Sequence, residues 1–434
     1  MKTIKILLLL LFCAIPAYAT TAGMVGGDLS TATNLDNAAT AYSGLMSGSF
    51  NAWNTIVTNS YQPIPTSITL TKIKVELNGS PGAGKSYTFD IVKNVTGTPT
   101  DSSDDCTISG TATTCEVTIS TALVQQDLTA VRCIPSGTPT DRGAVWYIEY
   151  NSATANETVF LASTNAGEVI NTTNTRYCPL AGVCDVDTGT GARIKMPTTG
   201  TLKKFTVYSP TAPDTGAGTQ SHTHTITVRP DLSTVSDTSI VVTISEAETI
   251  DSDNTNTKSV TLGDSYGAKI VPSGTPTASP IAYGLVMTMA TEGEFVVPMA
   301  GVLNSAANVY GDPHGNFVSF ESARQGLSGD FTWKSIIAET IAAPTSPGTF
   351  VLTLRQNSAT DTALTVTLSN ADYSEQLTTN VTAVALDQWS VKSVPASAPG
   401  NQTGIIAMLG YIAPPSGATT NYRYGGTHYG GTMM

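Results

Sequence analysis

The stretch GSPGAGKS, Gly79–Ser86, satisfies the pattern G-x-x-x-x-G-K-[ST] at every required position. In a nucleotide-binding enzyme such a loop wraps backbone N–H groups around phosphates, a lysine reaches the terminal phosphates and a hydroxyl holds Mg²⁺. Lys85 and Ser86 would take those roles. The chemistry also needs a helix whose N-terminus faces the anion. Here Ser86 runs instead into YTFDIVKN, where Tyr87, Phe89 and Ile91 alternate as strand residues do. His222 and His224, two apart in SHTHTIT, share one face of a strand, as metal-ligand pairs can. They also share the parity of Ile226 and Val228, so the plain reading is the entrance to a half-buried strand face.

Oxygen ligands for Ca²⁺ cluster in CDVDTG, with Asp185 and Asp187, and in DSDNTN, with Asp251 and Asp253. Neither completes an EF-hand loop with its closing glutamate, and solvated turn residues are the alternative. Calcium is the single cofactor suggested. Glycoside hydrolysis requires two carboxyls across a cleft, and Glu149, Glu157 and Glu321 cannot be paired from sequence. No G-x-S-x-G nucleophile elbow joins a strand to a helix. The expectation is a protein that is not an enzyme. Trp53, Trp146, Trp333, Trp389 and Tyr147 are probes for a sugar-binding platform, although Trp146 lies on a strand that reads as core.

The elements that would position these groups begin with a targeting segment. Lys2 and Lys5 precede the apolar run ILLLLLFCAIPA, and AYA at 17–19 offers small residues at the cleavage site. Residues 1–19 read as a secretory signal peptide, cut after Ala19. The run is shorter than the ~20 residues that span a bilayer, so no membrane insertion is expected. Bulky Phe12 before Cys13 argues against a lipid anchor. The formal net charge of −12 becomes more negative once Lys2 and Lys5 leave. Sequence-independent nucleic-acid binding, driven by Lys and Arg, is therefore not expected. Only 12% of residues are charged, against about 25% in ordinary domains. Thr, Ser, Gly and Pro fill the gap, and no long segment after residue 60 shows helical spacing. The chain is expected to be all-β.

In an exported chain Cys106 and Cys115, flanking TISGTATT, and Cys178 and Cys184, flanking PLAGV, are expected to close two small disulfide loops. Cys133 is left over and reads as a small buried residue. Zinc lacks C-x₂-C spacing.

Repetition dictates the architecture. PSGTPT occurs at 135–140 and again at 272–277, and a worn copy, PASAPG, ends at Gly400. Other landmarks keep their order around it. An opening strand reads TLTKIKV, TLKKFTV or a looser DFTWKSI; a Gly/Pro turn reads SPGAGKS, TGAGTQS or APTSPGT. Then come YTFDIVKN, HTITVRPD or VLTLRQN, and a closing strand GAVWYIEY, IAYGLVM or GIIAMLGYI. In this setting GSPGAGKS is the best-formed copy of a turn used three times, and Lys85 and Ser86 are dispensable to it. Each copy holds roughly eight short strands separated by turn signals. That fits three tandem jelly-roll-like β-sandwich domains, over 20–163 with an N-terminal arm, 164–305 and 306–414. An immunoglobulin-like sandwich is the alternative, without a Cys…Trp…Cys core. Residues 415–434 form a Gly/Tyr-rich tail whose YGGT repeats place Tyr424 and Tyr429 as assembly candidates.

The pattern L-x-x-[IF]-x-V, then PGAGKSxTF, TISGTAT and PSGTP, resembles jelly-roll modules of bacteriophage and bacterial surface proteins. These are similar to the TNF/C1q-like heads of spore-surface and tail-fibre proteins. The resemblance covers all three copies and is weakest over 20–60. It implies a virion or cell-surface structural or adhesive role and carries over no catalytic residues. Such heads usually trimerise, so three in one chain can pack as an internal pseudo-trimer.

The sequence thus points to an exported structural subunit of a cell-surface, filament or virion-type assembly that associates with itself. A glycan-binding adhesin is the alternative, and a carbohydrate-active enzyme a distant one. N-terminal sequencing of the exported chain is expected to begin at Thr20.

Overall fold

The computed structural model describes residues 20–29, 35–46, 53–94, 100–101, 105–164, 169–170, 172–184, 192–214, 222–230, 236–311, 317–321, 326–358, 360–372 and 374–414. The signal segment 1–19, Asp185, Asp187, Tyr424 and Tyr429 lie outside the described residues.

The strands fall into three sets. The first holds β1 (Thr20–Asp28), β2 (Ala41–Ser43), β3 (Gln62–Pro63), β4 (Ile68–Leu77), β5 (Gly82–Lys93), β6 (Thr100–Asp101), β7 (Cys106–Gly110), β8 (Thr114–Leu123), β9 (Leu128–Ser136) and β10 (Ala144–Ser152). The second holds β11 (Glu157–Thr164), β12 (Arg176–Pro179), β13 (Gly182–Cys184), β14 (Ile194–Lys195), β15 (Gly200–Tyr208), β16 (Thr223–Pro230), β17 (Val241–Ser245), β18 (Ile250–Val260), β19 (Ser265–Ser273) and β20 (Ala282–Met289). The third holds β21 (Glu294–Leu303), β22 (Val309–Gly311), β23 (Phe317–Val318), β24 (Gly326–Leu327), β25 (Phe331–Thr340), β26 (Thr349–Gln356), β27 (Thr360–Ser369), β28 (Ser374–Ala383), β29 (Gln388–Ala396) and β30 (Gln402–Tyr411).

Each set folds into two facing sheets, and almost every pairing is antiparallel. One sheet runs β1-β10-β4-β8, with equivalents β11-β20-β15-β18 and β21-β30-β25-β28. The facing sheet centres on β9-β5, β19-β16 or β29-β26, flanked by short strands such as β3, β14 and β24. The chain crosses repeatedly between the two sheets, which is the jelly-roll way of managing open edges. The all-β, three-sandwich architecture expected from the repeats is what the chain adopts. The seams between units fall elsewhere than at 163/164 and 305/306. β11 pairs with β20 and β21 with β30, so 157–164 and 294–303 open the following units. Periodicity could not show this, because each opening strand follows the preceding closing strand after only 153–156 or 290–293.

Common irregularities mark the units as copies. A bulge interrupts β4 between Leu70 and Lys72, β15 between Lys203 and Phe205, and β25 between Trp333 and Ser335. This registers Trp333 with Leu70 of the first unit, two residues on from the alignment DFTWKSI suggested. Two disulfides join the facing sheets: Cys106–Cys115 ties β7 to β8, and Cys178–Cys184 ties β12 to β13. Cys133 is buried and unbridged. Burial, then the nearby Asp90 carboxylate, pushes its thiol well above the ordinary range.

The three units close into a ring. β3 of the first lies against β11, β15 and β20 of the second; β14 of the second lies against β21, β25 and β30 of the third. β24 of the third returns to β1, β4 and β10 of the first. Near the centre, β21 touches both β1 and β11. All eight residues of β11 are buried, because one face packs on its own sandwich and the other on neighbouring units. Gly284 of β20 shows how close the approach is. A Cβ there would sit 2.3 Å from the Pro63 carbonyl oxygen of the first unit, a backbone atom with no rotamer to yield. Gly284→Val is expected to lower stability by roughly 1–3 kcal/mol through overpacking, read as a reduced denaturant midpoint.

Candidate functional site

Residues singled out for chemistry mostly serve the turns. GSPGAGKS leads into β5, not a helix, with Gly82 and Gly84 at φ 106 and 71°. Those values belong to the left-handed region that glycine enters freely. The loop docks on its partner turn: the Thr140 amide donates to the Pro81 carbonyl at 3.0 Å and Arg142 Nε to that of Ser80 at 2.9 Å. Thr277 bonds Pro213 in the second unit at 2.7 Å, and Thr345 bonds Pro399 in the third at 2.6 Å. In each partner turn two successive residues take positive φ: Gly137 and Thr138, Gly274 and Thr275, Ser397 and Ala398.

The histidines complete the same device. His224 pairs in register with Pro272, as Tyr87 does with Pro135 and Phe350 with Pro395. Tyr87 donates its hydroxyl to the Thr140 carbonyl at 3.2 Å. His224 Nε2 lies 3.3 Å from the Thr277 carbonyl, which can only accept, so Nε2 carries the proton. Its Nδ1 is buried with no hydrogen-bond partner among the described residues. His222 turns to Asp214, at 3.0 Å. The strand pair is thus a turn clasp.

Asp253 is likewise occupied. Its carboxylate accepts from the amides of Val241, Thr255 and Asn256, and from the side chains of Thr255 and Asn256. Burial alone would raise its pKa, but these donors hold it below the usual range. Asp251 accepts from the Ser252 amide at 2.7 Å. Among the described residues, no three His, Cys, Asp or Glu side chains form a group that could hold a metal. Glu149, Glu157 and Glu321 stand apart, on β10, on β11 and beside β23. Trp146, Trp333, Trp389 and Tyr147 are buried in the cores. Trp53 alone of the probes lines an open pocket of about 390 Å³ with Asp36, Asn37, Thr55 and Asp141.

What the structure assembles instead is three interfaces. Between the first and second units, Thr66 of the first donates to buried Glu157 of the second at 3.1 Å and accepts from Lys204 at 3.0 Å, while Lys203 and Lys204, 2.9 and 2.8 Å away, pair with Glu157 within the second unit. Burial would raise this carboxyl, yet the two ammonium groups bring it below its ordinary value. Tyr61 and Tyr208 meet edge to face nearby at 6.4 Å. Between the second and third units, Glu339 takes Arg193 at 2.7 Å and also Lys195. The third and first units meet through stacked Phe331 and Tyr147, 5.8 Å apart, with Gly329 flat against the tyrosine ring. There Gln388 donates to Glu76 at 2.5 Å.

A further signature, not read from the sequence, recurs where β8 turns into β9. Asp127, Asp264 and Asp387 each accept the amide three residues back, from Val124, Thr261 and Val384. The tips leave Val124, Leu262 and Val384 exposed. The spaced aspartate before each PSGTPT-bearing strand was its visible trace.

No family model matches the chain, and no curated protein matches it. Among solved structures, a chain in the atomic structure of Sulfolobus turreted icosahedral virus is 14% identical, covering 80% of this chain and 81% of that one at a TM-score of 0.17. One from broad bean stain virus is 12% identical, covering 66% and 95% at 0.20. The mosquito-larvicidal Cry4Aa toxin from Bacillus thuringiensis is 10% identical, covering 80% and 58% at 0.17. Likeness this slight carries no argument about role. The class rests on the strand order itself: a tandem jelly-roll protein. No helix among the described residues is long and apolar enough to cross a membrane.

The clasp makes a pH prediction. Burial lowers the His224 pKa more than the Thr277 carbonyl raises it, so the unfolded chain binds this proton more readily than the folded one. Its contribution is therefore intact above the unfolded value of about 6.5 and is lost as pH falls below it. The His224→Tyr variant, with the side chain found at position 87, is expected to lose less melting temperature than wild type between about pH 7 and 5.

Proposed function

We propose that the protein is a non-enzymatic structural subunit, exported to a cell surface, an extracellular filament or a virion-type assembly. The carrying observation is the ring: three sandwiches in one chain bury their β1-, β11- and β21-type strands against one another. Strand order and cyclic packing support the likeness to TNF/C1q-like heads, whose trimer would here be internal. Among the described residues, His222, His224, Asp253 and Glu157, which catalysis or metal binding could use, are taken up by turns and by contacts between strands and units. The chain then presents turn tips, outer sheets and the tail bearing Tyr424 and Tyr429 for self-association.

A second reading, a glycan-binding adhesin, is favoured by the Trp53 pocket, where an indole lies beside two carboxyls, an amide and a hydroxyl. A glycan array with Trp53→Ala as control tests it: selective binding lost in the variant supports it, and silence across the array removes it.

The structural reading is tested by mass and microscopy. The mature chain is expected to have the mass of one chain when dilute, since its threefold contacts are internal. Concentrated, it is expected to form rings, sheets or filaments under the electron microscope. A protein that stays a lone chain at every concentration would sink it.

A further inference from the structure

The ring has three interfaces but only two peptide connections. Residues 153–156 tie the first unit to the second and 290–293 the second to the third, whereas only side-chain and backbone packing joins the third to the first. That seam also differs in chemistry. At the linked interfaces, Thr66 of the first unit bonds both members of the Glu157–Lys204 pair of the second, and Glu339 of the third meets an arginine and a lysine of the second. At the seam, the Glu76 carboxylate meets a neutral amide, that of Gln388. Glu76 Oε2, the Tyr147 hydroxyl and Ser328 Oγ are all buried there without a hydrogen-bond partner among the described residues. A buried polar group left unpaired carries a desolvation cost, so opening the seam lets water reach these three groups. A head-to-tail interface of this type closes into a ring or, engaged between molecules, continues as a chain.

We propose that the seam between the third and first units is the reversible one, and that the third unit of one copy docks on the first unit of a second copy through it. The occupant is a second copy of this chain, because the surface involved is already complementary to a surface the chain carries. Glu76, Tyr147 and the face of β4 and β10 that β24 covers receive Gly329, Phe331 and Gln388 of the other copy. Closure within one chain prevails when dilute, since the short links hold the third unit at high effective concentration. Crowding shifts the balance to linked copies. The idea rests on the structural-subunit reading and names the surface by which such subunits join.

Two full-length variants test it. Gln388→Glu sets like charges face to face at the seam, and Glu76→Arg offers the complement. An equimolar mixture, concentrated and then diluted, is expected to give species of twice the one-chain mass or more, enriched several-fold over either variant alone. Should the variants misfold, wild type carrying donor and acceptor dyes on separate batches gives a second measurement: energy transfer is expected after concentration, and slower in Glu76→Gln, which removes the buried charge. One-chain mass in the mixture together with no transfer in wild type overturns the proposal. Regular assemblies by microscopy alongside those negative results would overturn it too, while leaving the structural role standing through another surface.

Discussion

Each sandwich in this chain has one sheet whose inner strands are buried on both sides, and the second side has to be covered. β11 shows it most plainly, with Phe160, Leu161 and Ala162 buried in succession and no exposed residue along its length. A jelly roll alone buries only one face of each sheet, so such a strand in a lone unit would leave a large apolar surface in water. The neighbouring units supply the cover, and three units in one chain supply it to each other in rotation. The ring, the close approach at Gly284 and Gly329, and the buried ion pairs all follow from that requirement.

Charge then distinguishes interfaces that geometry makes nearly alike. A buried carboxylate is costly unless it is paired and fully hydrogen-bonded. Glu157 satisfies this with two lysines of its own unit and Thr66 of the first, Glu339 with an arginine and a lysine across the interface, and both glutamates lie where peptide links hold the units together. The seam between the third and first units relies instead on ring stacking and one amide. Three quasi-equivalent contacts thus have three different chemistries, which specifies the cyclic order of the units and leaves one of them easiest to part.

Much of this was legible in particular residues. PSGTPT and its worn copy, with the turns SPGAGKS, TGAGTQS and APTSPGT, located three sandwiches and exposed the phosphate-loop pattern as a turn. Thr140 and Thr277 now show why those two segments recur together: one amide of each docks on the other turn. The cysteine spacings anticipated both disulfides. The seams were displaced because β10 and β20 run into β11 and β21 through short links, and an apolar strand carries no mark of which sheet it will join. Aspartates closing the β8–β9 turns were visible but too sparse a signal to stand out.

The histidines show where local reading ends. Two histidines on one strand face fit a metal pair and a turn clasp equally well, since side-chain parity says only that they share a face. Register with Pro272 settled it, by placing His224 where Tyr87 and Phe350 stand in the other copies. By itself, then, the sequence determined the strand-rich composition, the threefold repetition and the turn geometry, because propensity, alternation and glycine placement act over a few residues. Which strands share a sheet, which carboxylate meets which lysine, and that the units close on one another were decided by tertiary structure alone. Those outcomes depend on contacts between residues more than a hundred positions apart, such as Thr66 with Lys204 and Glu76 with Gln388, and no local pattern encodes them.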